Sequence, residues 1–216
     1  MGKTKRRTNM DVSYPIMRLT SDVDRPFKIK HVRYLVASSH DTSCSMSSIF
    51  KCIAFSLREP NWIVVIKSLS LVHLLLREGQ TARLLGFLAG NIEILDLRYF
   101  RDASQHPMGN SQAPFIKAYA LFLEEKVLCF RITKTDWITQ RGEMSALLRT
   151  LKGEPLIKHS ELLLKMMEVC NAVNWSREDL DVSVIQQAYR MLIADMMGLF
   201  QLMNEAIIGI LGNFNN

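Results

Sequence analysis

One segment constrains the fold more than any other. The residues NWIVVIKSLSLVHLLLREG, from Asn61 to Gly79, are apolar at nearly every position. Asn61 carries a side chain typical of a helix N-cap and Gly79 is a common helix terminator, so we predict one helix between them. A helix that is apolar on all sides must be surrounded by other elements. We therefore expect this segment to be the central helix of a larger helical assembly.

Apolar residues recur at helical spacing along the rest of the chain. The pattern predicts helices over 24–39, 45–57, 81–89, 115–130, 143–151, 155–172 and 176–212. Asp24 is the predicted N-cap of the first of them. The stretch 101–114, rich in Pro, Gly and Asn, is the clearest loop. Charged residues inside the last segment predict a packed helix rather than a membrane span.

These patterns predict an all-α fold of stacked antiparallel helices. Neither βαβ alternation nor a fixed internal repeat is visible. The 216 residues are enough for one domain with a sizeable core. Pro15 and an alternating apolar pattern leave room for a short helix at most before residue 20.

The residues with reactive side chains do not form a recognisable catalytic or metal-binding pattern. Four isolated cysteines are expected to be reduced thiols, which favours a cytosolic protein. None of the five histidines stands at a meaningful spacing from a nucleophile or a carboxylate. We therefore expect no enzyme, no cofactor and no metal site. His73 is the expected hydrogen-bonded core histidine, and Lys67 in the same helix is expected to snorkel or to be paired.

The positive charge is concentrated at one end of the chain. Residues 1–33 carry nine Lys or Arg against three Asp, so the whole net charge of +6 lies there. The remaining residues balance at 18 basic and 18 acidic side chains. Such a local excess indicates an anionic partner, although a solvated basic surface is the alternative interpretation.

Within that region, Lys28, Lys30 and His31 stand at i, i+2 and i+3. On an ideal helix these side chains point in different directions, but they converge where a chain is just entering its helix. Free backbone N–H groups and the helix dipole also favour an anion at that point. Arg18 comes ten residues earlier and can return from the preceding turn. A compact anion with several phosphates would suit these four residues.

The same residues resemble the signature of a known family, the ANTH domain of CALM-type clathrin assembly proteins. That signature is a basic residue, nine spacer residues and then Lys-x-Lys/Arg-His/Tyr, which here reads Arg18, LTSDVDRPF and KIKH. Two further blocks are similar to the family: residues 61–79, and MNEAIIGIL over 203–211, where Ala206 replaces the usual Gly. The resemblance implies an ANTH/ENTH-like superhelical solenoid with long C-terminal helices over 18–216. A basic, partly flexible segment over 1–17 would precede it.

The resemblance also implies a function. It indicates a non-enzymatic, phosphoinositide-binding membrane module of an adaptor in clathrin-mediated endocytosis. The expected ligand is phosphatidylinositol 4,5-bisphosphate on the cytoplasmic leaflet. Its headgroup would be bound by Arg18, Lys28, Lys30 and His31, with Arg25 or Arg33 as auxiliary contacts. We expect a cytoplasmic monomer that is peripheral on the plasma membrane and on clathrin-coated pits or vesicles.

Further partners follow from the same resemblance. Some relatives hold a vesicle SNARE helix against their C-terminal helices, which makes such a helix a candidate partner here. Relatives contact clathrin and adaptor complexes through a tail, and we expect that tail and the last part of the family domain to be absent from this sequence. ILDLR, over 94–98, is superficially similar to a clathrin-binding motif but is expected to pack inside.

Two alternatives stay open. The first is an actin-linking endocytic adaptor of the same fold. The second is a helical nucleic-acid-binding protein that uses KTKRR, over 3–7, and the basic stretch. The second alternative lacks aromatic interleaving and a recognition helix, so no nucleic acid is expected as a partner.

Overall fold

A computed structural model of the chain describes residues 11–174, 179 and 181–214. Within those residues, nine α-helices and one 3-10 helix follow one another, and no strand occurs. The α-helices are α1 (Ser13–Leu19), α2 (Ile29–His40), α3 (Met46–Leu57), α4 (Trp62–Glu78), α5 (Thr81–Ala89), α6 (Gly109–Thr133), α7 (Arg141–Thr150), α8 (Glu154–Asn171) and α9 (Ser183–Phe214), and the 3-10 helix is Ile92–Leu95. The predicted all-α fold is therefore confirmed.

The central helix is α4, as predicted. Every side chain from Trp62 to Leu76 is buried except that of Leu74, which is partly buried. The Asn61 carboxamide oxygen accepts hydrogen bonds from the backbone N–H groups of Ile63 and Val64, at 3.0 and 3.4 Å. Helices α3, α5, α6 and α9 pack around α4, and α1 and α2 make smaller contacts with it. Burial on all sides explains why this segment tolerates so few polar residues.

The predicted start of the second helix was wrong. Helix α2 begins at Ile29, and Asp24 lies before it in an irregular segment. Asp24 does cap a helix, but that helix is α9. Its carboxylate accepts hydrogen bonds from the backbone N–H groups of Ser183 and Val184, at 3.1 and 2.9 Å. A capping side chain satisfies any helix N-terminus within reach, so its position in the sequence does not say which one.

The start of α6 also differs from the prediction, because the predicted loop over 101–114 ends at residue 108. The buried Gln112 donates from Nε2 to Asp179 Oδ1 at 2.6 Å, which ties the first turns of α6 to the region before α9. Gly109 packs so closely on Asp102 that a Cβ there would lie 1.9 Å from Oδ2. These tertiary contacts outweigh the hydrogen bond that Pro114 removes from the helix.

Helix α9 is the longest element. It begins at Ser183, later than the predicted residue 176, which lies outside the described residues. By length and composition alone, Ser183–Gly212 could cross a membrane, a property that many core helices share. Its contacts are those of a packed helix, because α4, α7 and α8 all lie against it and Asp195 within it is fully buried.

Candidate functional site

The N-terminus of α2 carries an unusual set of charges. Lys28 is the N-cap residue, its backbone is extended, and no side chain caps the helix. Lys30 and His31 follow in the first turn, which contains no acidic residue. Helix N-termini ordinarily favour negative side chains, because the first N–H groups are unpaired and the macrodipole is positive there. Two lysines at this position leave the end of the helix suited to an external anion.

His31 is the one predicted site residue that is buried, with 8 % of its surface exposed. Burial lowers the pKa of its imidazole below the ordinary 6.5, and the charges of Lys30, Arg18 and Lys28 lower it further. The structure therefore brings all four predicted residues into one electrostatic neighbourhood. Arg18 lies in the last turn of α1 and the other three lie at the start of α2, so the segment between these helices, residues 20–28, creates the cluster.

A shallow depression of about 470 Å³ lies beside His31. Its lining residues are Asp11, Tyr14, Pro15, Lys30, His31 and Tyr34. Tyr14 meets the His31 ring edge-on, with ring centroids 5.8 Å apart. Asp11 is engaged by the backbone N–H of Ser13 at 3.0 Å and by the Ser13 hydroxyl, and these hydrogen bonds lower its pKa. The aromatic rings were not singled out in the sequence, because nothing local signals that α1 packs beside α2.

The basic side chains at this site are uncompensated. Arg18, Lys28 and Lys30 are exposed, and none of them forms an ion pair within the described part of the chain. Of the four predicted headgroup residues, Lys30 and His31 line the depression, whereas Arg18 and Lys28 do not. The predicted auxiliary residues Arg25 and Arg33 are exposed and do not line it either. The run KTKRR lies outside the described residues. The result is a group of free cations around one buried imidazole.

A second charged cluster is fully enclosed. Asp195 on α9 accepts hydrogen bonds from His73 Nε2 at 3.0 Å and from Lys126 Nζ at 3.1 Å, and Arg77 also contacts it. Burial raises the pKa of Asp195, but Lys126 and His73 outweigh burial and hold the pKa below its ordinary value. The other ring nitrogen of His73 is hydrogen-bonded to the Tyr119 hydroxyl at 2.9 Å. This cluster joins α4, α6 and α9, and His73 is the hydrogen-bonded core histidine that the sequence predicted.

Two other predicted features have clear positions. Lys67 is buried in α4 and donates hydrogen bonds from Nζ to the Ser21 hydroxyl and the Val23 carbonyl. Within the segment 94–98, Leu95 and Leu97 are buried, which agrees with the prediction that this stretch packs inside.

An exposed apolar stripe runs along α9. The stripe consists of Ile193, Met197, Phe200, Ile207 and Leu211. Spacings of three, four or seven residues keep these side chains on one face of the helix, and each residue is 45 to 59 % exposed. This is the spacing with which one helix packs against another. The sequence showed that α9 is apolar throughout, but not which face the rest of the domain leaves uncovered.

Comparisons with known proteins agree on one family. The sequence matches the ANTH domain over residues 12–216. It is 28 % identical over 198 residues to the phosphatidylinositol-binding clathrin assembly protein LAP of Drosophila melanogaster, covering 87 % of this chain and 42 % of that protein. It is 26 % identical over 207 residues to the human phosphatidylinositol-binding clathrin assembly protein, covering 96 % of this chain and 31 % of that protein. The chain thus spans less than half the length of these curated relatives.

A solved structure shows the same fold. The ENTH domain of epsin-2, determined in complex with phosphatidylinositol 4,5-bisphosphate, superimposes with a TM-score of 0.64. The match covers 94 % of this chain and 80 % of that domain at 16 % sequence identity. At that identity the likeness establishes the arrangement of the helices.

Proposed function

The chain belongs to the ANTH domain family, and we propose on this basis that it is the phosphoinositide-binding membrane module of a clathrin-mediated endocytosis adaptor. The ligand is phosphatidylinositol 4,5-bisphosphate on the cytoplasmic leaflet. The observation that carries the proposal is the group of unpaired cations around His31 at the uncapped start of α2. The module is non-enzymatic and acts by binding.

The headgroup is held by Arg18, Lys28, Lys30 and His31. Lysine is a flexible point charge that adapts to several phosphate oxygens, whereas the guanidinium of Arg18 donates two parallel hydrogen bonds to one phosphate. The first backbone N–H groups of α2 are additional hydrogen-bond donors, and the helix fixes their positions. Arg25 and Arg33 assist from outside the depression through their attraction to the anionic surface.

The expected affinity is modest. A basic side chain near an anionic leaflet contributes on the order of 1 kcal/mol. Three or four such contacts give weak, reversible attachment, so stable recruitment needs a second contact. The protein is therefore peripheral on the cytoplasmic side of the plasma membrane and on coated pits or vesicles, and the basic residues before α1 add a looser attraction.

Partners other than lipid use other surfaces. A vesicle SNARE helix is the proposed partner of the apolar stripe on α9, whose spacing suits a helix packed along it. No contact with clathrin or adaptor complexes is proposed for the surfaces described above. The domain is proposed to act as a monomer, and it includes the whole of α1, whose Ile16 and Leu19 are buried in the core.

Co-sedimentation with liposomes tests the proposed function. One set of vesicles carries phosphatidylinositol 4,5-bisphosphate and a second carries phosphatidylserine at matched surface charge. The wild type is compared with Lys28→Glu/Lys30→Glu. The matched control is Lys117→Glu/Lys152→Glu, which reverses two exposed lysines on α6 and after α7 and changes the net charge by the same amount.

We expect the wild type to prefer the phosphoinositide vesicles, the Lys28→Glu/Lys30→Glu protein to lose that preference, and the control protein to keep it. Equal binding to both vesicles by all three proteins would contradict the headgroup site. Displacement of the wild type from vesicles by duplex DNA but not by soluble inositol trisphosphate would favour the nucleic-acid alternative.

A further inference from the structure

The irregular segment between α1 and α2, residues 20–28, determines how the headgroup residues face one another. Arg18 lies just before it, Lys28 ends it, and Lys30 and His31 follow directly. The segment contains neither helix nor strand, so its own backbone does not hold its shape. Contacts with the rest of the domain must do so, and several of them are hydrogen bonds between named side chains.

The first contacts come from α3 and α4. The Thr20 hydroxyl lies 3.0 Å from the hydroxyl of Ser56 on α3. Lys67 on α4 donates hydrogen bonds from Nζ to the Ser21 hydroxyl at 3.1 Å and to the Val23 carbonyl at 3.0 Å. Only 4 % of Lys67 is exposed, and no carboxylate of the described residues forms an ion pair with it. A methionine or leucine would fill the same space without desolvating an ammonium group, so the contacts of Lys67 call for an explanation.

Further contacts come from α9. Asp24 accepts hydrogen bonds from the backbone N–H groups of Ser183 and Val184, at 3.1 and 2.9 Å. The backbone N–H of Phe27 donates to Gln187 Oε1 at 3.2 Å. These contacts join residues about 160 positions apart, immediately before the lysines of the site. Together with Lys67, they attach the segment at both ends and in the middle.

We propose that Lys67 and Asp24 are positioning residues of the headgroup site, which hold the segment so that Arg18, Lys28 and Lys30 converge on His31 before lipid arrives. Neither residue needs to touch the ligand. Binding affinity depends on how much freedom the cations lose on binding, and a site ordered in advance loses less. This inference rests on the proposed function and adds to it the residues that make the site selective rather than merely basic.

Asp24 provides the sharper test, because charge and positioning predict opposite results. Asp24→Ala removes a negative charge close to the site, so electrostatics alone would strengthen binding to any anionic vesicle. Loss of positioning would weaken binding to phosphoinositide vesicles instead. Asp24→Asn removes the same charge but keeps an oxygen that can cap α9, since Asn and Asp are similarly effective N-caps.

The experiment measures the ratio of binding to phosphoinositide and phosphatidylserine vesicles for the wild type, Asp24→Ala, Asp24→Asn and Lys67→Met. The stability control is Leu163→Ala, a cavity variant in the core of α8, away from α1 and α2. Thermal unfolding shows that each variant is folded. Amide hydrogen exchange of residues 20–32, measured by mass spectrometry, reports the order of the segment without any lipid.

We expect Asp24→Ala and Lys67→Met to reduce the ratio of phosphoinositide to phosphatidylserine binding about tenfold. This is the effect expected when one or two flexible side chains must become ordered on binding. Exchange in residues 20–32 should rise in the same two variants. Asp24→Asn should restore most of the ratio, and Leu163→Ala should leave it unchanged. If Lys67→Met fails to fold, the comparison of Asp24→Ala with Asp24→Asn is sufficient to test the proposal.

Two outcomes would overturn the inference, and they are distinguishable. If the wild type prefers the phosphoinositide and Asp24→Ala keeps that preference, positioning is wrong while the proposed function stands. If the wild type has no preference, the proposed function fails and the positioning role fails with it.

Discussion

The carboxylate of Asp195 and the imidazole of His73 are joined by a hydrogen bond of 3.0 Å between Oδ2 and Nε2, and both side chains are completely buried. Lys126 and Arg77 contact the same carboxylate, so α9 is attached to α4 and α6 by charged groups rather than by apolar packing alone. Since Asp24 and Gln187 attach the α1–α2 segment to α9, the position of α9 affects both the core and the headgroup site.

The buried charges give a stability prediction. Asp195→Ala leaves His73 without its carboxylate and leaves Lys126 with Asp136 alone, 3.4 Å from Nζ. Breaking a buried charged pair in this way destabilises a protein by about 3–5 kcal/mol. Urea unfolding followed by circular dichroism measures the change. The comparison is Glu154→Ala, which removes an exposed i,i+4 partner of Lys158 and should change the free energy of unfolding by less than about 0.5 kcal/mol. Similar losses in the two variants would contradict the role of Asp195.

The same cluster predicts how stability depends on pH. The pKa of His73 is below 6.5 in the folded protein because burial outweighs the attraction of Asp195. The unfolded chain therefore takes up this proton first, and stability falls as the pH drops below about 6.5. The pKa of Asp195 is also lowered, so its contribution is present above its ordinary 3.8 and is lost as the pH falls through that value toward the folded pKa.

Melting temperature measured against pH checks both windows. His73→Gln removes the titrating group but keeps a hydrogen-bond donor. In this variant the melting temperature should depend less on pH in the range below about 6.5. A melting temperature that rises as the pH falls from 6.5 would contradict the assignment.

The pKa of His31 predicts that lipid binding strengthens in acid. In the free protein, burial and the charges of Lys30, Arg18 and Lys28 lower this pKa. A bound phosphate would raise it, so the complex holds more protons than the free protein and affinity rises as the pH falls. Tyr14, Tyr34 and Asp11 also face the depression, and Asp11 is already held ionised by Ser13.

Vesicle binding between about pH 7.5 and pH 6, a window around the ordinary histidine pKa, measures this effect. His31→Gln should show a smaller rise, and what remains reports titration of the lipid phosphates themselves. An identical pH profile for the two proteins would exclude proton uptake by His31.

Single basic residues should contribute unequally to headgroup binding. Lys28→Ala and Lys30→Ala should each weaken binding to phosphoinositide vesicles by on the order of 1 kcal/mol, or about fivefold. Arg25→Ala and Arg33→Ala should have smaller effects that are similar for phosphatidylserine vesicles. The charges that lower the pKa of His31 are those of Lys30, Arg18 and Lys28, so the two auxiliary arginines act only through the general attraction to an anionic surface. A loss of phosphoinositide preference on removing Arg33 would place the site on another face of α2.

Two glycines provide a matched test of close packing. Gly109→Ala would place a Cβ 1.9 Å from Asp102 Oδ2, and the other oxygen of Asp102 accepts the Trp62 N–H at 2.9 Å. We expect a loss of about 1–3 kcal/mol from the displaced carboxylate. Gly86→Ala in α5 meets nothing within 4 Å and should stabilise the protein by about 0.5–1 kcal/mol. Calorimetry measures the change in stability of each variant. Destabilisation by Gly86→Ala would contradict the conclusion that the space around Gly86 is open.

The sequence by itself determined the features that depend on near neighbours. The bounds of α4 follow from Asn61, Gly79 and an apolar run, since a cap and a terminator act within one helical turn. The spacing KIKH likewise keeps Lys28, Lys30 and His31 within one turn of one another, although the predicted start at Asp24 put that turn inside the helix and not at its entrance.

Only the tertiary structure decided the rest. Asp24 is a capping residue in any context, but contact with Ser183 selects α9 rather than α2. Gln112 and Gly109 begin α6 inside a predicted loop through their contacts with Asp179 and Asp102. Packing of α9 selects which of its apolar faces stays exposed. Each of these results depends on residues far apart in the chain, whose relative positions are set by burial of the whole core and not by any local pattern.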